Sequence, residues 1–338
     1  MCLTRNVLRY GWLVTYLFGA SATVCKSFMQ DYHEHNLEEF DDNTLYLPYA
    51  TSLRMGDIGY QNSQEDKKGV KANYNSLRHY VYSLRAAMQT SCDDCENIGV
   101  KKHGEYQQLN TNILQIANEY YSSVRPKPSA HGSDRPLGAL LNEGVGYIEL
   151  RSLDVNPMMK EGIDEEQVQF LEAFMLFCLL EDSPAVSSAE LTEIDVNANL
   201  VAHRGREPGL SLCHNGEDVT LLNWGQSILA RINDCSVLLS EAHQKSVRNI
   251  SKRIIEPDLT PSAEMLNQMK DEEKGFFEYT NQFSLKNKEL FNEMPITEEY
   301  FVELDNQKIL SINKQREIES SDTLSFDDFL ADYFSSDT

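Results

Sequence analysis

The spacing of apolar side chains divides the chain into several predicted helices. Along residues 73–90 they recur at the three- and four-residue steps of an amphipathic helix, at Tyr74, Leu77, Val81, Leu84 and Met88. Residues 7–30 are mostly apolar and predict a helix or a pair of helices, broken near Gly19. From residue 256 the pattern is helical and highly charged, and spaced aromatic residues after Ser325 predict a short amphipathic helix that docks on the rest.

Capping residues and β-type runs mark further elements. Asp164 can cap a helix, with Gln167 in the capping-box position, and the apolar residues that follow on nearly every side predict that this helix is buried. Residues 144–155 predict a strand. Residues 106–124 predict an extended, sheet-like segment.

The overall charge argues against one large class of partners. The 338 residues include 30 basic and 53 acidic side chains, for a formal net charge of −23. Such a surface repels phosphate backbones, so we expect no nucleic-acid partner. An acidic protein that binds ATP must gather positive charge, or a divalent cation, around the phosphates.

The seven cysteines do not have the pattern of a disulfide framework. An odd number of cysteines spread along a long chain favours reduced thiols, as in the cytoplasm. Cys92 and Cys95 make a single CxxC, but a zinc site needs two further ligands at a matching spacing. We therefore expect reduced thiols and no metal at this motif.

The N-terminal residues have the order of a secretory signal. Arg5 and Arg9 precede an apolar run over residues 11–20, and small residues follow before Cys25. The run is too short to span a bilayer, so no membrane partner is expected. From this pattern alone, an exported acidic binding protein is an open alternative.

Residues 147–154, YIELRSLD, carry the most informative chemistry. Alternate side chains of a strand share a face, so Glu149 and Arg151 point the same way, beside Tyr147. The carboxylate can ligate Mg²⁺, and the guanidinium can hold a carboxylate or phosphate through two hydrogen bonds. An exposed ion pair on a strand is the plainer interpretation of these two residues.

Two proline-stiffened segments carry further basic residues. Arg54 closes the segment 48–54, and Arg125 and Lys127 flank Pro126. Basic side chains held in this way suit the binding of fixed anions. Ordinary surface turns have the same composition, and from the residues alone a surface turn is the favoured interpretation.

Several blocks of sequence resemble the bacterial glutamate–cysteine ligases of the enterobacterial type. Their order and approximate spacing agree from residue 5 to about residue 260. The blocks are residues 9–12 (RYGW), 16–21 (YLFGAS), 46–54 (YLPYATSLR), 57–60 (DIGY), 114–116 (LQI), 125–127 (RPK), 147–154 (YIELRSLD) and 205–210 (GREPGL).

This resemblance implies a fold and an activity. The fold is α+β, with a glutamine-synthetase-like antiparallel sheet that cups the active site, incomplete at the N-terminus, and a helical C-terminal region. The activity is the ATP-dependent joining of the γ-carboxylate of L-glutamate to L-cysteine, the first step of glutathione biosynthesis, in the cytoplasm. The resemblance also makes residues 9–30 an internal helix, so that the signal-like order is incidental.

The resemblance also assigns roles to residues. Glu149 corresponds to a magnesium ligand, and Arg151 to a contact with glutamate or its phosphorylated form. Arg54, Tyr60 and Tyr121 fall at the cysteine pocket. Arg125 and Lys127 lie where contacts with ATP are expected.

Two departures from the family bear on activity. The family's chain begins well before this one, and the portion before Met1 carries most of the acidic magnesium ligands. Ala117 stands where an acidic residue is expected, which puts a metal or nucleotide contact in doubt. We expect a catalytic portion over residues 1–255 and a helical tail over 256–338, with weak activity unless a separate N-terminal segment is supplied. A ligase remnant without catalysis is the alternative.

Overall fold

The computed structural model describes residues 1–29, 35–59, 71–129 and 135–335. The helices in the first part of the chain are α1 (Cys2–Tyr10), α2 (Trp12–Phe18), α3 (Leu77–Gln89), α4 (Asp93–Ile98) and α5 (Pro136–Glu143). Those that follow are α6 (Glu165–Leu180), α7 (Ser188–Arg204), α8 (Leu221–Ser236), α9 (Glu241–Ile250), α10 (Pro261–Glu272), α11 (Phe276–Glu293), α12 (Glu298–Ser321) and α13 (Phe326–Ser335).

The strands among the described residues pair only in short antiparallel sheets. They are β1 (Thr23–Cys25), β2 (Glu38–Glu39), β3 (Thr44–Tyr46), β4 (Lys101–Lys102), β5 (Glu105–Tyr106), β6 (Val124–Lys127), β7 (Tyr147–Leu150), β8 (Ser211–His214) and β9 (Glu217–Thr220). β3 lies between β1 and β2, and the other strands pair as β4–β5, β6–β7 and β8–β9. The α+β class is therefore confirmed, with helices as the larger part.

Helix α6 forms the centre of the largest core. Its N-cap Asp164 accepts a hydrogen bond from the backbone N–H of Gln167 at 2.6 Å, as the capping pattern predicts. Phe170, Phe174 and Phe177 are fully buried along it, packed against α1, α2, α8 and α9. The predicted buried helix is confirmed.

The apolar N-terminal run is part of this core. Every residue of α2, Trp12–Phe18, is buried. The helix ends before Gly19, where an added Cβ would lie 2.4 Å from the carbonyl oxygen of Thr51, so only glycine allows this close approach. The predicted break near Gly19 is confirmed. The extension of helix to residue 30 was wrong, because the chain next forms β1 and pairs with β3.

The segment 106–124 does not form the predicted extended stretch. Only Tyr106, at the end of β5, and Val124, at the start of β6, belong to strands. Between them local bonds replace a strand ladder: the side chain of Asn110 accepts from the backbone N–H of Asn112, and Ala117–Glu119 form a 3-10 turn. The amphipathic helix predicted over 73–90 is confirmed as α3.

The expectation that all cysteines are reduced was wrong at one motif. Cys92 and Cys95 form a disulfide, and their Cα atoms lie 5.1 Å apart, well within the range for such a bond. One turn of α4 brings the two side chains together, which the odd cysteine count could not reveal. The other five cysteines are free thiols, and Cys178 is buried in the core, as expected.

The C-terminal helices differ in how they pack. None of the residues of α12 is buried, whereas α13 returns to the β4–β5 hairpin. There the carboxylate of Asp327 accepts hydrogen bonds from Lys101 and Tyr106. The ring of Phe326 packs edge-on against that of Tyr106, with 4.7 Å between the ring centroids. The predicted docking of this short helix is confirmed, and the division at residue 255 stays a prediction. Among the described residues, every helix is too short or too polar to cross a membrane.

Candidate active site

The pairing of β6 with β7 gathers the charged residues that the sequence singled out. Arg125 lies directly opposite Glu149, and Lys127 lies opposite Tyr147. Directly opposed residues, and residues two apart on one strand, share a face of the sheet. The side chains of Arg125, Lys127, Glu149 and Tyr147 therefore lie on one face.

Glu149 holds the only carboxylate of this group. Its Oε2 lies 3.5 Å from Nζ of Lys127, which makes an ion pair but is too long for a good hydrogen bond. The same oxygen is buried and has no hydrogen-bond partner among the described residues. A buried carboxylate oxygen without a partner is costly in isolation, so it is suited to receive a donor or a cation.

Arg125 is a buried cation with spare hydrogen-bonding capacity. Its side chain donates from Nη2 to the carbonyl oxygen of Asn118 at 3.0 Å, and its Nε has no partner among the described residues. Burial, and then the positive charge of Arg151, lower the pKa of the guanidinium. Nearby Glu149 acts in the opposite direction.

Arg151 continues the strand pair one residue beyond β7. Its backbone N–H donates to the carbonyl oxygen of Ser123 at 2.8 Å. Its guanidinium lies over the ring of Tyr121, 5.1 Å from the centroid, and its Nη1 is buried without a partner in the described part of the chain. The planar group is thus stacked in place with a donor still available.

Arg54 joins the group from another part of the chain but is already saturated. Its Nε donates to Asp154 at 2.6 Å, its Nη2 donates to the carbonyl oxygen of Leu153 at 2.8 Å, and its Nη1 lies 3.4 Å from the hydroxyl of Tyr121. Burial opposes the charge of Arg54, but Asp154 outweighs it and raises the pKa of the guanidinium. Tyr121 therefore lies between Arg54 and Arg151.

Two important residues of this region had no role assigned from the sequence. Asp154 is buried and also accepts hydrogen bonds from the backbone N–H of Ala20 and the hydroxyl of Ser21, both at 2.8 Å. Tyr80 of α3 is buried near the arginines, and burial raises the pKa of its hydroxyl to about 12, although Arg125 counteracts this. A signal for Asp154 existed, since an acid between the apolar residues Leu153 and Val155 needs a partner when it is buried.

Two of the sequence expectations stay untested, those for Tyr60 and Ala117. Tyr60 lies outside the described residues. Ala117 begins the 3-10 turn that precedes Asn118 and lines a small cavity with Arg135 and Tyr333. Its expected effect on nucleotide or metal binding stays a prediction.

The charges of this site favour anions. Two cations, Arg125 and Lys127, lie beside one carboxylate, and a third, Arg151, is near Arg125, in a chain whose net charge is −23. Arg125 and Arg151 each add a directed N–H donor that has no partner within residues 1–29, 35–59, 71–129 and 135–335. In the described part of the chain, no group of three or more His, Cys, Asp or Glu side chains could hold a metal ion, so Glu149 offers one metal ligand and not a complete site.

Comparison with known sequences gives a consistent result. A family model described as glutamate-cysteine ligase matches residues 1–201. A glutamate–cysteine ligase of Pseudomonas paraeruginosa is 41% identical over 98% of this chain and 63% of that protein. The enzyme of Shewanella halifaxensis is 40% identical over 98% of this chain and 64% of its own length. The chain thus spans somewhat less than two thirds of these relatives.

Solved structures show the same likeness. The crystal structure of the Francisella tularensis glutamate–cysteine ligase in complex with AMP superposes with a TM-score of 0.92 and 29% identity, covering 99% of this chain and 66% of that one. A bifunctional glutathione synthetase from Pasteurella multocida superposes with a TM-score of 0.60 over 86% of this chain and 32% of its own. At 18% identity, this second likeness concerns the fold alone.

Proposed function

The chain belongs to the glutamate-cysteine ligase family, and from that premise we propose that it takes part in the ATP-dependent joining of L-glutamate to L-cysteine. The product is γ-glutamylcysteine, the first intermediate of glutathione biosynthesis. The blocks of sequence quoted above support the enterobacterial type within the family, and a biosynthetic role of this kind supports the cytoplasm as its location.

One observation carries this proposal. Arg125 and Lys127 lie beside Glu149 on one face of a strand pair, Arg151 is near enough to Arg125 to lower its pKa, and both arginines have a buried N–H group without a partner among the described residues. Such an arrangement suits the phosphates of a nucleotide, because preformed cationic donors stabilise the charge that moves during phosphoryl transfer. The structural relative that holds AMP makes a nucleotide the natural ligand to propose here.

The proposed reaction has two steps. An oxygen of the γ-carboxylate of glutamate attacks the γ-phosphorus of ATP, the bond to the β-phosphate oxygen breaks, and ADP leaves. The amine of cysteine then attacks the acyl carbon of the γ-glutamyl phosphate, phosphate leaves, and the nitrogen loses a proton. In this scheme Arg125 and Lys127 hold phosphate oxygens, and Arg151 holds the glutamate carboxylate or its phosphorylated form.

The cysteine substrate is proposed to lie beside Tyr121; Tyr60, which the resemblance assigns to the same pocket, lies outside the described residues. Arg54 lies at this pocket too, but its guanidinium is occupied by Asp154 and by backbone oxygens. We therefore assign Arg54 a positioning role: it fixes the chain that follows Arg151 and the ring of Tyr121.

Mg²⁺ fits this site in part. Glu149 would supply one oxygen ligand, and its Oε2, which accepts no hydrogen bond from the described residues, agrees with that role. When bound, the ion neutralises phosphate charge. Because Mg²⁺ requires a near-octahedral set of oxygens, we propose that its other protein ligands come from a polypeptide segment outside these 338 residues.

A reconstitution assay tests the proposal. ADP release and γ-glutamylcysteine formation are measured for the 338-residue chain alone, and again with the part of the Pseudomonas paraeruginosa relative that lies outside the matched region. We expect little or no product from the chain alone and product from the mixture. Robust synthesis by the chain alone would refute the shared metal site.

The opposite failure has a separate meaning. A mixture whose two parts bind each other but form no product would refute the ligase function and favour a remnant without catalysis.

A further inference from the structure

The Cys92–Cys95 disulfide has no place in the proposed reaction. It lies at the first turn of α4, in the part of the chain between α3 and the segment that carries Asn118. A bond between residues three apart closes a short loop, and the stabilisation that a disulfide confers on the whole fold grows with loop length. This bond therefore adds little to the stability of the whole fold, and its effect is local.

Both cysteines are anchored without the help of the sulfur–sulfur bond. The backbone N–H of Cys92 donates to Thr111 at 2.9 Å, and its carbonyl oxygen accepts from Glu96 at 2.8 Å. The carbonyl oxygen of Cys95 accepts from the side chain of Gln108 at 2.6 Å. The two sulfurs are thus held side by side by the fold, so that the bond can open and close again with little change in the backbone.

The two sulfurs differ in access to solvent. Cys92 is fully buried, whereas Cys95 is partly accessible to solvent. Cys92 also caps α4, where its Sγ accepts from the backbone N–H of Cys95 at 3.4 Å. In thiol–disulfide exchange the accessible sulfur is the one that is attacked, and a protected neighbour resolves the mixed disulfide.

We propose that Cys92 and Cys95 form a thiol–disulfide exchange site for low-molecular-weight thiols. Cys95 is the attacked sulfur, and Cys92 is the resolving one. The inference is independent of the proposed ligase activity, although the cysteine substrate of that reaction is itself a thiol of this class.

The exchange balances with a small thiol as the sole co-reactant. A thiolate attacks Sγ of Cys95, the bond to Cys92 breaks, and the Cys92 thiolate leaves and takes a proton from water. A second thiolate attacks the sulfur of the first thiol in the mixed disulfide, which yields the small disulfide and the Cys95 thiolate. Two electrons pass from the two small thiols to the protein, and the reverse sequence re-forms the bond.

Cystine provides the test, with the folded 338-residue chain reduced beforehand. After cystine treatment, the protein is alkylated, digested and analysed by mass spectrometry. The natural chain should yield a peptide with the Cys92–Cys95 bond and no adduct. Cys92→Ser should accumulate a cysteine adduct on Cys95, because no resolving thiol remains.

The reciprocal variant makes the test sharp. In Cys95→Ser the remaining thiol of Cys92 is buried, so adduct formation should be slower by a factor of about 10 or more. Serine at position 92 can still cap α4, and far-UV circular dichroism checks that both variants fold. Cys213→Ser, which removes a half-exposed thiol elsewhere, should leave the oxidation of the pair unchanged.

Two results would overturn the assignment. One is equal adduct formation in Cys92→Ser and Cys95→Ser when both are folded. The other is a natural chain whose pair stays reduced in cystine while Cys213 reacts. Neither result depends on ATP or on ligase turnover, so the failure of this site and the failure of the proposed function are told apart.

Discussion

Two clusters meet beside Tyr121: the first is Arg54 with Asp154, and the second is Arg125 with Arg151. They differ in how many of their hydrogen-bonding groups have a partner. Arg54 is saturated by Asp154 and by backbone oxygens, whereas Arg125 and Arg151 each have a buried N–H group with no partner in the described part of the chain. A saturated network fixes the backbone around it and has no capacity left for a ligand. An unsaturated one carries a cost in the free protein that a bound anion can offset. We therefore propose that the first cluster positions the chain and that the second binds an anion.

The largest expected effect is on the saturated side. Asp154→Ala removes a buried carboxylate that accepts from Arg54, Ser21 and the backbone of Ala20. Breaking a buried, hydrogen-bonded ion pair on one side costs about 3–5 kcal/mol, so the free energy of unfolding should fall by that amount. Denaturant titration measures it. Asp154→Asn, which keeps an acceptor, should lose less, and equal losses would contradict the network.

On the unsaturated side, the largest effect should be on catalysis. In the reconstituted mixture, Glu149→Ala should abolish magnesium-dependent ADP release in the presence of both amino acids, a loss of at least about 100-fold for a removed metal ligand. The unfolding free energy of the chain should change little, since the ion pair of Glu149 with Lys127 is long and partly exposed. Unchanged turnover would show that the metal ligand lies elsewhere.

A smaller effect is expected for the stability of the second cluster. Arg125→Met removes a buried cation that faces a second cation, Arg151, and one hydrogen bond to Asn118. These contributions oppose each other, so the unfolding free energy should change by less than about 1.5 kcal/mol. Denaturant titration of both variants, Arg125→Met and Asp154→Ala, checks which one loses more unfolding free energy. A loss as large as that of Asp154→Ala would erase the distinction between the clusters.

The smallest effect should come from the residue between the two clusters. Tyr121→Phe keeps the ring under Arg151 and removes only the hydroxyl, which lies 3.4 Å from Nη1 of Arg54 and 3.6 Å from Sδ of Met55. A weak hydrogen bond of this kind is worth about 0.5–1.5 kcal/mol. Tyr121→Ala should cost more, because the stacked ring is lost as well. Equal unfolding midpoints for the two variants would show that the ring does not hold Arg151.

Much of this arrangement followed from local rules of sequence. Strand alternation placed Glu149 and Arg151 together, and the capping pair Asp164 and Gln167 placed the start of α6. These features depend on neighbours along the chain. They could be predicted because a strand or a helix turn fixes its own side-chain directions.

Other features depend on residues distant in sequence. The bond between Arg54 and Asp154 spans one hundred positions, and no local pattern indicates it. The opposition of Arg125 and Glu149 requires the register of β6 with β7. The segment 106–124 was predicted wrongly because side chains such as Asn110 bond its backbone, a solution that apolar periodicity does not record.

Nucleotide binding tests the central proposal most directly, namely that the second cluster, Arg125 and Arg151, holds phosphate. ATP is titrated in the presence of Mg²⁺ into the folded chain, into the double variant Arg125→Met with Arg151→Met, and into Arg204→Met. Arg204 is an exposed arginine paired with Glu207 and serves as the matched control. We expect the double variant to bind at least about 100-fold more weakly, because it loses one or two charge-assisted hydrogen bonds to phosphate. The control should bind as the natural chain does. Equal affinity in all three would contradict the account.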